Sequence, residues 1–299
     1  MHTGLSFWIG FHVAVLLLLA LDLFVFHREE HAISMKEAAV WSVVWVALSV
    51  AFAGYIYAVE GPVKGVEFIT GYVIEYSLSA DNLFLFITIF AFFKVEARHQ
   101  HRVLLWGILG ALAMRGAMIG MGVQLVHRFE WILYGFGIFL LLTGLRMFLK
   151  RGEEPPGENI VVRLCRKWLR VTPEFHGPKF IVRTAAGWML TPLALVLVVI
   201  DVMDLMFAVD SIPAVFAVTR DPFIVYTSNI CAILGLRSLY FLIAGVADRV
   251  KYLHYGLAAV LTFIGTKMLL VAVFPISALA SLAVVAALLA VSVVCSLLF

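Results

Sequence analysis

Acidic and amide side chains interrupt a long apolar stretch in the first third of the chain. The segment EYSLSADNLF carries Glu75, Asp81 and Asn82 inside an otherwise apolar run from Val66 to Phe93. If that run spans a membrane, each ionised side chain costs roughly 3 kcal/mol at the bilayer centre, so we expect these residues to be functional. Carboxylate and amide oxygens, with no Cys or His among them, favour a site for a hard divalent cation such as Mn²⁺, Mg²⁺ or Ca²⁺.

The same pattern occurs again after residue 200. Asp204 precedes Asp210 by six residues, and a small polar residue, Ser211, follows, which repeats the spacing of the first segment. Six residues place two side chains about 120° apart on a regular helix, so the two acids of one segment converge on one ion only where the helix unwinds. Asp201 lies one turn before Asp204 and is a further candidate ligand or proton carrier. The alternative for Asp201 is a hydrogen bond to a neighbouring Ser or Thr.

Residues near the acids predict that both helices are interrupted. Ser77 and Ser79 can bond to the backbone of their own helix, and Pro213 removes a backbone amide close to Asp210. Breaks are therefore expected beside the candidate ligands.

Basic residues inside the apolar runs follow a repeat of their own. The interval from Arg115 to Arg146 is 31 residues, and the interval from Arg237 to Lys267 is 30. The acids and bases together predict that a unit of three helices occurs twice, with the second copy crossing the membrane in the opposite direction. Inverted repeats of this kind bind their substrate near the bilayer midplane.

Two roles remain open for these bases. Ion pairing of four acids with four bases would lock the bundle, and this is the structural alternative to a metal site. Arg115 and Arg237 are interpreted mainly as structural residues that hold the acids in place when no metal is bound. Arg146 and Lys267 lie nearer the ends of their runs and can extend to the interface.

The composition shows what must position these side chains. The 299 residues are 63% hydrophobic and only 14% charged, and the apolar residues come in blocks of about one membrane thickness. The blocks predict an all-α polytopic membrane protein with about nine transmembrane helices and a 3+3 inverted-repeat core. They cover roughly residues 5–26, 38–58, 66–93, 103–126, 131–149, 186–219, 223–247, 252–274 and 276–299.

Five regions follow from these blocks. Residues 1–60 are expected to form two peripheral helices, 61–150 the first three-helix repeat, 185–275 the second, and 276–299 a C-terminal helix. The loop at 151–184 is expected to be a cytoplasmic linker. Its segment IVVRLCRKWLR predicts an amphipathic helix in the headgroup region, either as an anchor between the halves or as a regulatory element.

Lysine and arginine counts predict the orientation. Odd-numbered loops carry 15 of these residues and even-numbered loops carry three. The positive-inside rule then places the N-terminus outside and the C-terminus in the cytoplasm. The net charge of +3 reflects this asymmetry and does not indicate a nucleic-acid surface.

Several of these stretches resemble the signature stretches of the TerC family, which is named after tellurium resistance and includes manganese exporters. The similar stretches are SLSADN after Glu75, FAVDSIPA, DPFIVYTSNICAILGLRSLYFL and LDLFVFHR. The resemblance implies a 3+3 inverted core, transport of divalent metal with Mn²⁺ foremost, and acids from both repeats in the site. The chain departs from the family pattern at Tyr76, Asp201 and Met203, which leaves the ligand role of Asp201 open.

The combined hypothesis is a membrane transporter, not an enzyme, that exports manganese and has no prosthetic group. Proton antiport is the hypothesis for its coupling. The expected partners are Mn²⁺ as substrate and the lipid bilayer, and the expected location is the bacterial inner membrane. The alternative is a scaffold or assembly protein linked to tellurite or metal stress without transport of its own. A third possibility is an intramembrane hydrolase with two catalytic aspartates, which the equal spacing of the acids disfavours.

Overall fold

A computed structural model of the chain describes residues 5–21, 34–129, 131–149, 170–184, 187–245, 252–271, 273–274 and 276–298. Most of the predicted interfacial helix and of the LDLFVFHR stretch lies outside these residues. The described part is a helical bundle with one small hairpin. Its helices are α1 (Leu5–Leu21), α2 (Met35–Glu60), α3 (Pro62–Phe92), α4 (Ala97–Arg128), α5 (Ile132–Leu149), α6 (Pro192–Phe216), α7 (Pro222–Leu234), α8 (Leu236–Ala244), α9 (Leu253–Leu270) and α10 (Ala278–Leu298).

Among the described residues, seven helices are long and apolar enough to cross a membrane: α2, α3, α4, α5, α6, α9 and α10. The pair α7 and α8, bent by 44° at Gly235, forms an eighth candidate span, and α1 is a shorter apolar helix. The chain is therefore an all-α polytopic membrane protein in its spanning part. The count of nine spans and the 3+3 repeat stay predictions.

Local sequence explains where the helices begin and end. The Ser34 hydroxyl accepts a hydrogen bond from the backbone of Glu37 at the start of α2. Gly61 separates α2 from α3 with φ at 100°, a conformation that glycine adopts readily, and Pro62 then occupies the first turn. The Asp221 carboxylate caps α7 by accepting from Phe223 at 2.9 Å.

A β-hairpin precedes α6, which the apolar block at 186–219 did not predict. Strand β1 (Ile181–Thr184) pairs with β2 (Gly187–Leu190) in antiparallel register. The helix begins only at Pro192, because the Thr191 hydroxyl caps it by accepting from Ala194 at 3.3 Å. Apolar composition alone does not distinguish such a strand from the start of a helix.

The predicted interruptions beside the acids are wrong: α3 and α6 are continuous. Ser77 donates to the carbonyl of Val73 at 2.6 Å, so its hydroxyl is satisfied without any break in the helix. Pro213 lies in the last turn of α6, where the helix ends after three more residues. The break occurs instead at Gly235, between α7 and α8.

The helices before the hairpin pack mainly against the helices after it. Helix α3 packs on α7, α4 packs on α6, α3 crosses α6, and α5 packs along α9. Helix α2 lies against α3 and α8, and α10 covers α3 and α9. The two acid-bearing helices, α3 and α6, therefore lie in the centre of the bundle.

Candidate functional site

The centre of the bundle holds one buried arginine between two carboxylates. Arg115 of α4 donates through Nη1 to Glu75 of α3, and through Nε and Nη2 to Asp204 of α6 at 3.0 and 2.8 Å. Both side chains of the Arg115–Glu75 pair are fully buried, and Asp204 is 8% exposed. We call these three residues the central triad. It joins three helices near their midpoints through a bidentate and a single ion pair.

The triad contains more acidic groups than basic ones. Two carboxylates face one guanidinium, and the Glu75 Oε2 atom has no hydrogen-bond partner among the described residues. Ser79, one turn further along α3, donates to the other oxygen of Glu75 at 3.4 Å. Because a buried unpaired carboxylate oxygen is costly, this position can accept a further proton or cation.

A small cavity adjoins the triad on its α6 side. Asp201, Asp204 and Arg237 line it together with Gly107 of α4, and its volume is about 20 Å³, enough for one water molecule. A Cβ atom placed on Gly110 would lie 2.9 Å from Asp201 Oδ2, so the carboxylate lies directly against the bare backbone of α4. Arg237 thus lines the same cavity as Asp201 and Asp204.

Asp81 faces away from the triad. Its Oδ2 lies 3.5 Å from Nδ1 of His254, at the start of α9. The other ring nitrogen, Nε2, lies 3.1 Å from the carbonyl oxygen of Met147, which can only accept a hydrogen bond. The neutral ring carries one hydrogen and so donates to either Met147 or Asp81, whereas the imidazolium form donates to both.

The remaining predicted ligands are not brought to the triad. Asp210 and Asn82 are half-buried on α6 and α3, and Ser211 is buried with no hydrogen-bond partner for its hydroxyl among the described residues. Within that same part of the chain, no three His, Cys, Asp or Glu side chains lie close enough to hold a metal. The reason is helix geometry: an unbroken helix puts acids six residues apart on different faces and about 9 Å apart along its axis.

A second charged cluster lies at the N-terminal end of α3, next to the start of α7. Lys64 lies 2.8 Å from Asp221 and 2.9 Å from Glu60, and Thr219 donates to Glu67 at 2.6 Å. We call these five residues, which lie on α2, on α3 and around the start of α7, the terminal cluster. It ties the start of α3 to the start of α7.

Lys267 adds a further charge beside that cluster. It is 7% exposed and close enough for its charge to interact with Glu67. Lys267 therefore does not extend to the interface as its sequence position suggested, whereas Arg146 is exposed.

Sequence reasoning missed three parts of this arrangement. His254 and the terminal cluster lie at helix ends, where charged residues are common and carry no signal of their own. Asn229 is 1% exposed on α7, and both of its amide atoms have no hydrogen-bond partner among the described residues. An amide inside the apolar run TSNICAIL was the available signal for Asn229, because buried polar groups normally have partners.

Comparisons with known proteins agree with this architecture. A family model described as "Integral membrane protein TerC family" matches residues 60–299. The chain is 48% identical over 291 residues to "Uncharacterized membrane protein STKORF319" of Myxococcus xanthus, covering 97% of this chain and 91% of that protein. It is 49% identical over 288 residues to "Putative membrane-bound redox modulator Alx" of Escherichia coli (strain K12), covering 93% and 90%. No solved structure matches the chain. The match over most of the chain shows that this protein belongs to the TerC family of integral membrane proteins.

Proposed function

We propose that the chain transports a divalent metal cation, with Mn²⁺ as the foremost substrate and efflux as the direction. The central triad carries the proposal. Carboxylates from two different helices meet around a cation at the middle of the bundle, and the cation is the chain's own Arg115. A position that stabilises one cation between buried acids is suited to exchange it for another.

The packing of the helices supports an inverted-repeat core for this transporter. Exchanging α3 with α6, α4 with α7 and α8, and α5 with α9 turns the more extensive contacts among these helices into other observed contacts. The α3–α7 contact becomes α6–α4, the α5–α6 contact becomes α9–α3, and the α5–α9 contact maps onto itself. A twofold relation of this kind is what inverted repeats produce.

The metal-binding state proposed here requires a rearrangement. Arg115 leaves one or both carboxylates, and α3 and α6 shift or unwind so that oxygen ligands from both helices converge. The proposed ligands are Glu75, Asp81, Asn82, Asp201, Asp204, Asp210 and Ser211. Arg115 and Arg237 compensate the acids while no metal is bound.

The polar groups suggest a route through the bundle. If the N-terminus lies outside, as the basic loops predict, Asp81 and His254 lie on the cytoplasmic side of the triad, whereas Asp210 and the terminal cluster lie on the outer side. In a bacterial inner membrane, an exported cation would pass Asp81 and His254 on its way from the cytoplasm to the triad. The ion pair of Lys64 with Asp221 then has to open for release.

Coupling to protons follows from the energetics of efflux. Moving two positive charges out against 100 mV costs about 4.6 kcal/mol, so export against a gradient needs a driving ion. We propose antiport: metal binding requires deprotonated carboxylates, and protons return as metal leaves. We propose that one such proton binds between Asp81 Oδ2 and His254 Nδ1, which lie 3.5 Å apart.

The test is ion flux in proteoliposomes across a panel of divalent metals, with and without a pH gradient. Asp81→Asn and Asp210→Asn are each expected to abolish Mn²⁺ flux, because each removes an anionic oxygen at nearly constant volume. Glu96→Gln is the matched control, since Glu96 lies at a helix end where it is 62% exposed and pairs with Arg98. It should transport like the wild type.

Two outcomes would contradict the proposal. Wild-type flux in both aspartate variants would remove these residues from the site. A folded wild-type protein that moves none of the metals would exclude the transporter and favour the scaffold or assembly role.

A further inference from the structure

A long apolar groove lies between α1, α2 and α7, away from every acid described above. Its volume is about 510 Å³, and aromatic and aliphatic side chains form nearly all of its walls. Among the described residues that line it, the polar groups are the Tyr55 hydroxyl, the Trp45 indole N–H, the Cys231 thiol and the Ser49 hydroxyl, which donates to the carbonyl of Trp45 at 2.9 Å. Such walls offer a water molecule too few partners to hold it.

The length of the groove matches one leaflet of a bilayer. On α1 its lining runs from Phe7 to Leu18, and on α2 from Trp45 to Tyr55. At 1.5 Å per residue these stretches are about 15 to 17 Å long, half of the roughly 30 Å hydrocarbon core. The Phe7 and Tyr55 rings lie 6.3 Å apart, so both stretches end at the same level.

The groove is continuous with the surface that faces lipid. Residues next to its lining on α1 and α2 are strongly exposed, for example Leu16 at 64% and Val50 at 51%. In a chain that is embedded in a bilayer, these side chains contact acyl chains. An apolar groove that continues this surface is in contact with the same acyl chains.

We propose that this groove is a binding site for one acyl chain of a membrane phospholipid. The chain lies along the membrane normal between α1 and α2, with its terminal methyl near Trp45 and Leu234 at the level of the α7–α8 bend. The headgroup lies at the end where Phe7 and Tyr55 meet. This site is separate from the proposed metal route, so lipid binding there does not depend on whether the chain transports metal.

Two glycines provide a matched pair of variants. Gly10 lines the groove, and a Cβ atom there meets no atom within 4 Å. Gly54 on α2 is also free of contacts within 4 Å, but it does not line the groove. Gly10→Phe therefore adds a ring on the groove wall from an open Cβ position, and Gly54→Phe adds the same ring elsewhere.

The experiment is native mass spectrometry of the full-length protein after detergent extraction and washing. The wild type and Gly54→Phe are expected to retain one phospholipid, and Gly10→Phe at least tenfold less, with the same helix content by circular dichroism. The proposal is overturned if the wild type retains no phospholipid, if Gly10→Phe retains as much, or if the retained mass is a quinone or a second copy of the chain.

Photolabelling of the wild type keeps the test independent of how the variants fold. A phospholipid with a diazirine at the end of one acyl chain should label Trp45, Cys231 or Leu234 at the bottom of the groove. Labels confined to outward-facing residues such as Val43, which is 67% exposed, would refute the site.

Discussion

Replacing Arg115 by methionine tests whether the central triad holds the bundle together. Arg115 is fully buried and provides three donors, one to Glu75 and two to Asp204. Methionine keeps an unbranched apolar side chain but leaves two buried carboxylates without a counter-charge. Removing one partner of a buried ion pair costs about 3–5 kcal/mol, which is roughly two to three and a half powers of ten in the folding equilibrium.

The same reasoning predicts a rescue. Adding Glu75→Gln and Asp204→Asn to Arg115→Met removes every charge of the triad at nearly constant volume. Replacing a whole buried cluster by neutral groups is often neutral or stabilising, so most of the lost stability should return. Each introduced amide that finds no hydrogen-bond partner would reduce the recovered folding free energy by about 1–3 kcal/mol.

The assay is unfolding of the purified protein in mixed micelles, followed by circular dichroism as the denaturing detergent is increased. Arg98→Met is the control on the same helix. Its ion pair with Glu96, at 2.6 Å, is about 60% exposed on both sides, so its loss should cost less than about 1 kcal/mol. The reasoning fails if Arg115→Met is as stable as Arg98→Met, or if the triple variant is no more stable than Arg115→Met alone.

Three further predictions concern other parts of the chain. Gly144→Ala should destabilise the α5–α9 contact by about 1–3 kcal/mol, because its Cβ would lie 2.5 Å from Thr262 Oγ1. Gly135→Ala is the control and should be neutral, because its Cβ would have no atom within 4 Å. Equal melting temperatures of the two variants would refute this. Lys64→Met and Asp221→Asn should show a coupling energy between a few tenths of a kcal/mol and about 1 kcal/mol in a double-mutant cycle; strictly additive effects would show that the pair is not coupled. The affinity of the purified protein for Mn²⁺ should fall as the pH drops from about 8 to about 5, and metal addition should release protons, because carboxylates bind metal in the deprotonated form. An affinity that is flat across this range would exclude antiport.

The sequence alone determined that the chain is an all-α polytopic membrane protein. Apolar blocks long enough for a bilayer leave the backbone no partner but itself, so the spans follow from composition. The starts of α2 and α7 follow from Ser34 and Asp221, whose caps are local interactions within three residues. The hairpin before α6 was missed because apolar residues suit a strand as well as a helix.

The sequence also showed which acidic and basic residues lie inside the apolar runs, but not their partners. Helix periodicity put Glu75 and Asp81 on different faces, and the structure agrees. Only the tertiary structure decided that Glu75 shares Arg115 with Asp204, an interaction across 89 residues of sequence, and that Asp81 faces His254. A helix's own sequence determines which side chains share a face. The side chain that a face meets depends on how distant helices pack, and that is set by the whole bundle.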